Sequence, residues 1–200
     1  MNNSFKLLLA GAFAFTIASC NNETTDGVKT DADTTKVGMQ DSQDTAQKAN
    51  DEAMARPQQN DAEFVTEVAA ANMAELAVHK AAIAHSANAT VKADAKHMLT
   101  DHTKMGDALM AYAKKNNITM PADADNAKKE DLAEMEQKTG ADFDKAYADH
   151  LVDAHEKLID KFENNEGKRT DPELNKMITD NLPTLRMHLD MSKTLKDQLK

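Results

Sequence analysis

The chain of 200 residues has a single cysteine, no tryptophan, two tyrosines, four prolines and six glycines. One cysteine permits no internal disulfide, so whatever folds must be held by packing alone. Few aromatic residues, beside many Ala, Met, Lys, Asp and Glu, leave little from which to build a sheet and favour helices. The scattered glycines form no phosphate-cradling loop. Positive charge is also in deficit, with 24 Lys and Arg against 34 Asp and Glu and a net charge of −10. That balance argues against nucleic-acid binding, which neutralises phosphates with Lys and Arg. It is equally unsuited to an anionic membrane surface.

The apolar run at residues 7–18 carries no charge and follows Lys6. It falls short of the roughly 20 apolar residues that a membrane-spanning helix needs. A basic start, a short apolar core and small residues before a cleavage point make a signal peptide. Ile17-Ala18-Ser19-Cys20 resembles a lipobox, which implies cleavage before Cys20 and lipidation of its sulfur. Removing Lys6 with the leader would bring the chain to about −11. The competing reading is an ordinary secreted protein whose cysteine falls there by chance. On the lipoprotein reading, 1–19 is the signal peptide, 20–59 the lipidated cysteine and its tether, and 60–200 a helical domain. The membrane is then a partner through the lipid on Cys20, and the location is the cell envelope, in the periplasm or at the outer membrane. A protein partner or self-association stays compatible with the sequence.

Between residues 21 and 59 there is no Leu, Ile, Phe, Tyr or Trp. Such a segment buries too little apolar surface to offset its ordering entropy, so a disordered tether is predicted. Asn60-Asp61-Ala62-Glu63 fits a capping box and predicts a first helix to about residue 87. A second, over 88–117, is stopped by Asn116-Asn117 and Pro121. A short piece over 127–138 ends at Thr139-Gly140. The third long helix, over 141–165, is closed by Gly167. The fourth starts with Asp171 as cap and Pro172 at the first helical position, and runs to the C-terminus. Pro183 inside it predicts a bend or a local break. The expectation is an all-α, up-down-up-down four-helix bundle, with an extra short helix between helices two and three. A coiled-coil rod is the rival, and the short helix-breaking turns speak against it.

Helical residues advance by about 100° each, so every side chain can be given a direction. On the first helix Phe64, Val68, Ala71, Val78 and Ala82 form a stripe with Glu75 at its centre and His79 at its edge. On the second, His102 lies among Val91, Ala95, Met98, Met105 and Leu109, with Asp101 flanking and His97 facing away. On the third, His155 and Asp144 lie with Leu151, Leu158 and Phe162, whereas His150 points well off the stripe. On the fourth, His188 and Asn181 lie with Ile178, Leu185 and Leu199. The spread of Glu75, His102, His155 and His188 along the axis is about 9 Å. These four are therefore predicted to approach one another at mid-bundle, with His79, four residues after Glu75, as an alternative partner of that carboxylate.

An ionised carboxylate in an apolar interior is costly unless paired or metal-bound. Three imidazoles and a carboxylate suit Zn or Cu, with Ni a further option, better than Mg or Ca. Met98 and Met105 share the stripe of His102 and could offer a thioether to Cu(I), although methionine at helical spacing is usually core filler. The alternative is a non-catalytic structural or partner-binding module whose polar core only specifies packing. Ser86 and Ser192 lie near core faces but in no nucleophile motif. The sequence gives no sign of an enzyme.

Several stretches together resemble the bacterial domain of unknown function 4142. They are Glu75, Val91-Lys92 and Met98-Leu99-Thr100-Asp101-His102, then Phe143-Asp144-Lys145-Ala146-Tyr147 with His155, then Leu182-Pro183 with Leu185 and His188-Leu189. Their order and spacing span essentially the whole helical region. The resemblance implies a ferritin-like four-helix fold and an outer-membrane label, and it brings no established activity. A ferritin-like fold invites comparison with di-iron bundles, which use Glu-x-x-His on two helices. No Glu-x-x-His occurs in this chain, since Leu99, Val152 and Leu185 stand three residues before His102, His155 and His188. A di-iron centre of that kind is not expected.

Overall fold

The structure, a computed structural model, describes residues 42–124 and 126–200. The expected signal peptide, Cys20 and the tether as far as residue 41 lie outside the described residues. Among those described there are six helices and no strand, so the fold is all-α. The helices are α1 Ser42–Ala53, α2 Arg56–His85, α3 Ala89–Lys115, α4 Asn126–Glu136, α5 Gly140–Asn165 and α6 Pro172–Gln198. None of them is long and apolar enough to cross a membrane.

The helical region starts before residue 60, which corrects the expected end of the tether. Helix α1 has no large apolar residue, and it is held in place by side-chain hydrogen bonds. Asn50, fully buried, accepts from the Thr119 N–H at 2.7 Å and donates to the Thr119 carbonyl at 3.1 Å. Ser42 Oγ accepts from the N–H groups of Ala122 and Asp123 at 2.7 and 3.0 Å. Thr66 on α2 donates to Gln47 at 3.1 Å. A rule based on apolar burial has no access to order built this way.

Helix α2 also begins early, with Pro57 in its first turn, where the missing N–H costs nothing. Asn60 therefore lies within the helix, and the predicted capping box does not form. The other predicted caps do. Asn88 accepts from the N–H groups of Thr90 and Val91 at 2.9 and 3.4 Å. Asp171 accepts from the Glu173 N–H at 2.7 Å. Helix α3 ends at Asn116, and Asn117 takes the left-handed conformation (φ 57°) that Asn tolerates better than most residues. Helix α6 continues through Pro183 without the break that was one of the two expected outcomes there.

The four long helices pack α2 on α3, α3 on α6, α6 on α5 and α5 on α2. Helix α1 lies on α2, and α4 packs against both α2 and α5. The apolar interior comes in two separate clusters. One gathers Phe64, Val68, Leu109, Phe162, Ile178 and Leu185. The other gathers Val78, Met98, Phe143, Tyr147, Leu151 and Leu195. Each long helix passes from one cluster to the other, and at the crossing it carries a polar residue. Those residues are Asn72 and Glu75 on α2, His102 on α3, His155 on α5 and His188 on α6. A belt of buried polar groups thus divides two apolar halves.

Candidate metal centre

The belt is assembled from four helices. Helix α2 contributes Asn72, Glu75 and His79, the last two one turn apart on the same face. Helix α3 contributes Asp101 and His102, α5 contributes Tyr147, His150 and His155, and α6 contributes His188. Glu75, His79, His102, His155 and His188 are all at most 4 % exposed, so none of the five can be satisfied by bulk water.

The two central rings, His102 and His155, are fixed from outside. His102 Nδ1 donates to the Asn72 side-chain oxygen at 2.9 Å, and His155 Nδ1 donates to the Leu151 carbonyl at 2.9 Å. Each Nδ1 thereby holds its proton, and in the neutral ring Nε2 is left as a bare lone pair. The two Nε2 atoms face each other at 3.4 Å. Two lone pairs at that separation repel unless a cation lies between them. His188 stacks on His102 at 5.5 Å and meets His155 edge-on at 5.4 Å. Its Nε2 donates to Asp101 at 3.3 Å, and its buried Nδ1 has no partner.

On the other side of His102 stands Glu75. Its Oε1 accepts from His150 Nε2 at 2.8 Å, while Oε2 lies 3.8 Å from His79 Nε2, beyond hydrogen-bond range. Both of those facing atoms are buried and unpartnered. His79 Nδ1 is bonded to the Tyr147 hydroxyl at 3.0 Å, and its ring lies 5.2 Å from that of His102. Gly106, one turn after His102, leaves room for the Asn72 side chain. A Cβ there would come within 2.8 Å of the Asn72 amide nitrogen.

The electrostatics favour neutral rings beside one carboxylate. Burial would raise the Glu75 carboxyl, but the hydrogen bond and charge of His150, with His79 and His155, hold it well below the usual carboxylate range. Burial pulls His150 down, and the bond to Glu75 more than reverses this, leaving it above its ordinary value. Burial is the largest influence on His102, lowering it to about 3 against an opposing pull from Glu75. Burial likewise takes His79 to about 4, again against Glu75. His188 falls to about 4 through burial and His155, despite the Asp101 bond. At neutral pH these three are unprotonated imidazoles, the form that binds a metal.

The ligand atoms fall into overlapping groups, within each of which all lie within 4.8 Å of one another. His102, His155 and His188 make one, and Glu75, His79 and His102 make another. Glu75, His79, His102, His155 and His188 thus share one belt in two overlapping groups. Glu75 adjoins the three imidazoles through His79 and His102 and does not stand at their centre. Asp144 is buried as expected, and its Oδ1 has no partner. Asn181 is only partly buried.

Sequence reasoning missed Asn72, Tyr147 and His150. All three lie on faces that a single apolar stripe per helix assigns to solvent or leaves unexamined. The available signal was the alanine-rich sequence of α2, which buries residues nearly all round, from Ala62 and Val65 to Ala69, Ala70 and Ala81. A helix covered on several sides has partners on several sides.

The donor set answers what a transition-metal ion requires. It has bare ring nitrogens, two of them held by acceptors on the opposite nitrogen, and unpartnered buried atoms at Glu75, His79 and His188. Neither a curated protein nor a solved structure shows significant similarity to the chain. The sequence profile of the family Domain of unknown function (DUF4142) matches residues 43–195, beginning at α1 and ending within α6. With its matched region running from α1 into α6 and covering the whole polar belt, the chain belongs to the DUF4142 family.

Proposed function

We propose that the bundle binds one transition-metal ion of the Zn or Cu class through His102, His155 and His188, with Glu75 and His79 on the adjoining side. The observation that carries this reading is the pair of Nε2 atoms of His102 and His155, 3.4 Å apart with both Nδ1 protons committed elsewhere. Nitrogens bound to Zn at about 2.0–2.1 Å in a tetrahedral shell are about 3.3–3.4 Å apart. A proton shared between the two nitrogens is the other way to relieve the contact. Two carboxylates, Glu75 and Asp101, flank the imidazoles. Three nitrogen ligands leave a further position for His79, Glu75 or water.

The same proposal takes the packing order of α2, α3, α5 and α6 as a ferritin-like, up-down-up-down four-helix bundle with α4 as the additional short helix. It takes the chain as an envelope lipoprotein anchored through Cys20, a reading supported by Ile17-Ala18-Ser19-Cys20. The test of the metal site is thermal. Zn2+ or Cu2+ at a hundredfold excess over its Kd should stabilise the purified chain by about 2.7 kcal/mol. The double variant His102→Ala, His155→Ala should show no such gain. An equal shift in both proteins, or none in either, would leave a polar core that only specifies packing.

A further inference from the structure

The polar belt reaches the surface on two faces that offer a cation different groups. On the α2–α5 face Glu75 adjoins a recess of about 150 Å³ lined by Lys128, Lys157 and Lys161. Lys157 and Lys161 are paired with Asp153 and Glu67, so the recess is rimmed by ammonium groups whose countercharges lie nearby. Glu75 itself is occupied by His150. A cation approaching here finds the one carboxylate that the belt offers on this face already bonded.

On the α3–α6 face the belt itself presents a carboxylate, Asp101, whose Oδ1 holds Lys104 at 2.9 Å and whose Oδ2 faces two histidines. A small opening of about 10 Å³ is lined by Asp101, His102, Met105, Asn181, Leu185 and His188. That is about the room taken by one water molecule. Over it stands His97, half exposed, whose Nε2 lies 3.5 Å from Asp101 Oδ2. His188 Nε2 lies 3.3 Å from the same oxygen, so one carboxylate oxygen sits between an outer and an inner imidazole. The rings of His97 and His188 meet edge-on at 5.9 Å. His97, Asp101 and His188 also bring a ligand atom each to within 4.8 Å of one another, as the buried groups do. The buried Nδ1 of His188 has no partner.

Building on the metal-binding reading above, we infer that the ion enters from the α3–α6 face, captured first by His97 and Asp101 and then passed inward by His188. An ion on Asp101 Oδ2 competes for the oxygen that holds the His188 ring. The ring can then turn its free nitrogen to the ion beside His102 and His155. The oxygen of Asp101 is thus both the point of capture and the latch on the receiving ring.

Stopped-flow mixing of the purified chain with Co2+, followed by the visible absorbance of the bound ion, tests this. In the double variant His97→Ala, Asp101→Asn the association rate should fall at least tenfold, and by more than the affinity falls. His97→Ala alone should slow loading in the same direction should the double variant fold poorly. Lys128→Ala, Lys157→Ala on the opposite face should load within twofold of the unaltered protein. A double variant that loads at the original rate, or a rate change confined to the lysine variant, overturns the inference and leaves the metal site standing. Absence of any absorbance or melting shift in the unaltered protein removes the site and the inference together.

Discussion

The two carboxylates of the polar belt, Glu75 and Asp101, bond histidines in similar ways and live in different surroundings. The Glu75 side chain is 6 % exposed and lies against His79, with one oxygen bonded to His150 and the other unpartnered. The Asp101 side chain is 19 % exposed, shares its oxygens among His97, His188 and Lys104, and lies within reach of solvent and salt. The difference teaches that the same residue pair can be a structural commitment at one end of a row and an adjustable contact at the other. Removing one partner of a buried ion pair strands the remaining charge, whereas an exposed pair is replaced by water at little cost.

The comparison breaks most sharply at Glu75. Glu75→Ala should destabilise the fold by about 3 kcal/mol in urea unfolding, because His150 loses the carboxylate that holds it. A loss no larger than that of an exposed pair would mean that Glu75 is not the anchor described. Gly106→Ala should change stability little, because crowding of the Asn72 amide is offset by about 1 kcal/mol of helix propensity. Because Asn72 fixes the His102 ring, the same change should weaken metal affinity about 10–100-fold by titration against a competing chelator. Tyr147→Phe, which removes only the bond to His79, should cost about 1 kcal/mol in the same unfolding assay. Asp101→Asn should cost less than about 1 kcal/mol and become indistinguishable from the unaltered protein in high salt.

Acidification sharpens the contrast in another way. His79, His102 and His188 have folded values of about 4, 3 and 4, below the ordinary 6.5. Between about pH 6.5 and 4 the unfolded chain therefore binds more protons at these sites than the folded one. Stability should be complete above 6.5 and fall as the pH drops through that window. His150, raised by Glu75, works in the opposite sense, since its contribution is present at low pH and lost as pH rises through its folded value. Three groups oppose one, so the melting temperature of the metal-free protein should decline from pH 7 to pH 4. A flat profile would contradict the neutral, buried assignment of the three rings.

The features legible in the sequence were those that depend on one helix at a time. The spacing of Glu75 against Val68 and Val78, or of His102 against Met98 and Met105, fixes which way each side chain points. Helix length and caps such as Asn88 and Asp171 then bring the crossings to a common height. What escaped depends on neighbours. His150 is half-buried because α4 and α2 cover a face of α5 that its own periodicity assigns to water. Helix α1 is ordered because Asn50 and Ser42 satisfy backbone groups of the connection after α3, about 70 to 80 residues further on. Glu75 meets His150 and not the centre of the imidazoles because the height and direction of a residue leave its rotamer open.

The division of the interior into two greasy halves has a consequence for how the helices can slide. Moving α3 or α5 lengthwise by a single turn, about 5.4 Å, would carry its imidazole into hydrocarbon and bring Met98 or Leu151 to the ring nitrogens. Uniform hydrocarbon would penalise such slippage only through shape; here each misalignment also strands a polar group, at about 1–3 kcal/mol apiece. The belt therefore acts as a lengthwise detent for the helices whose neighbouring turns are apolar.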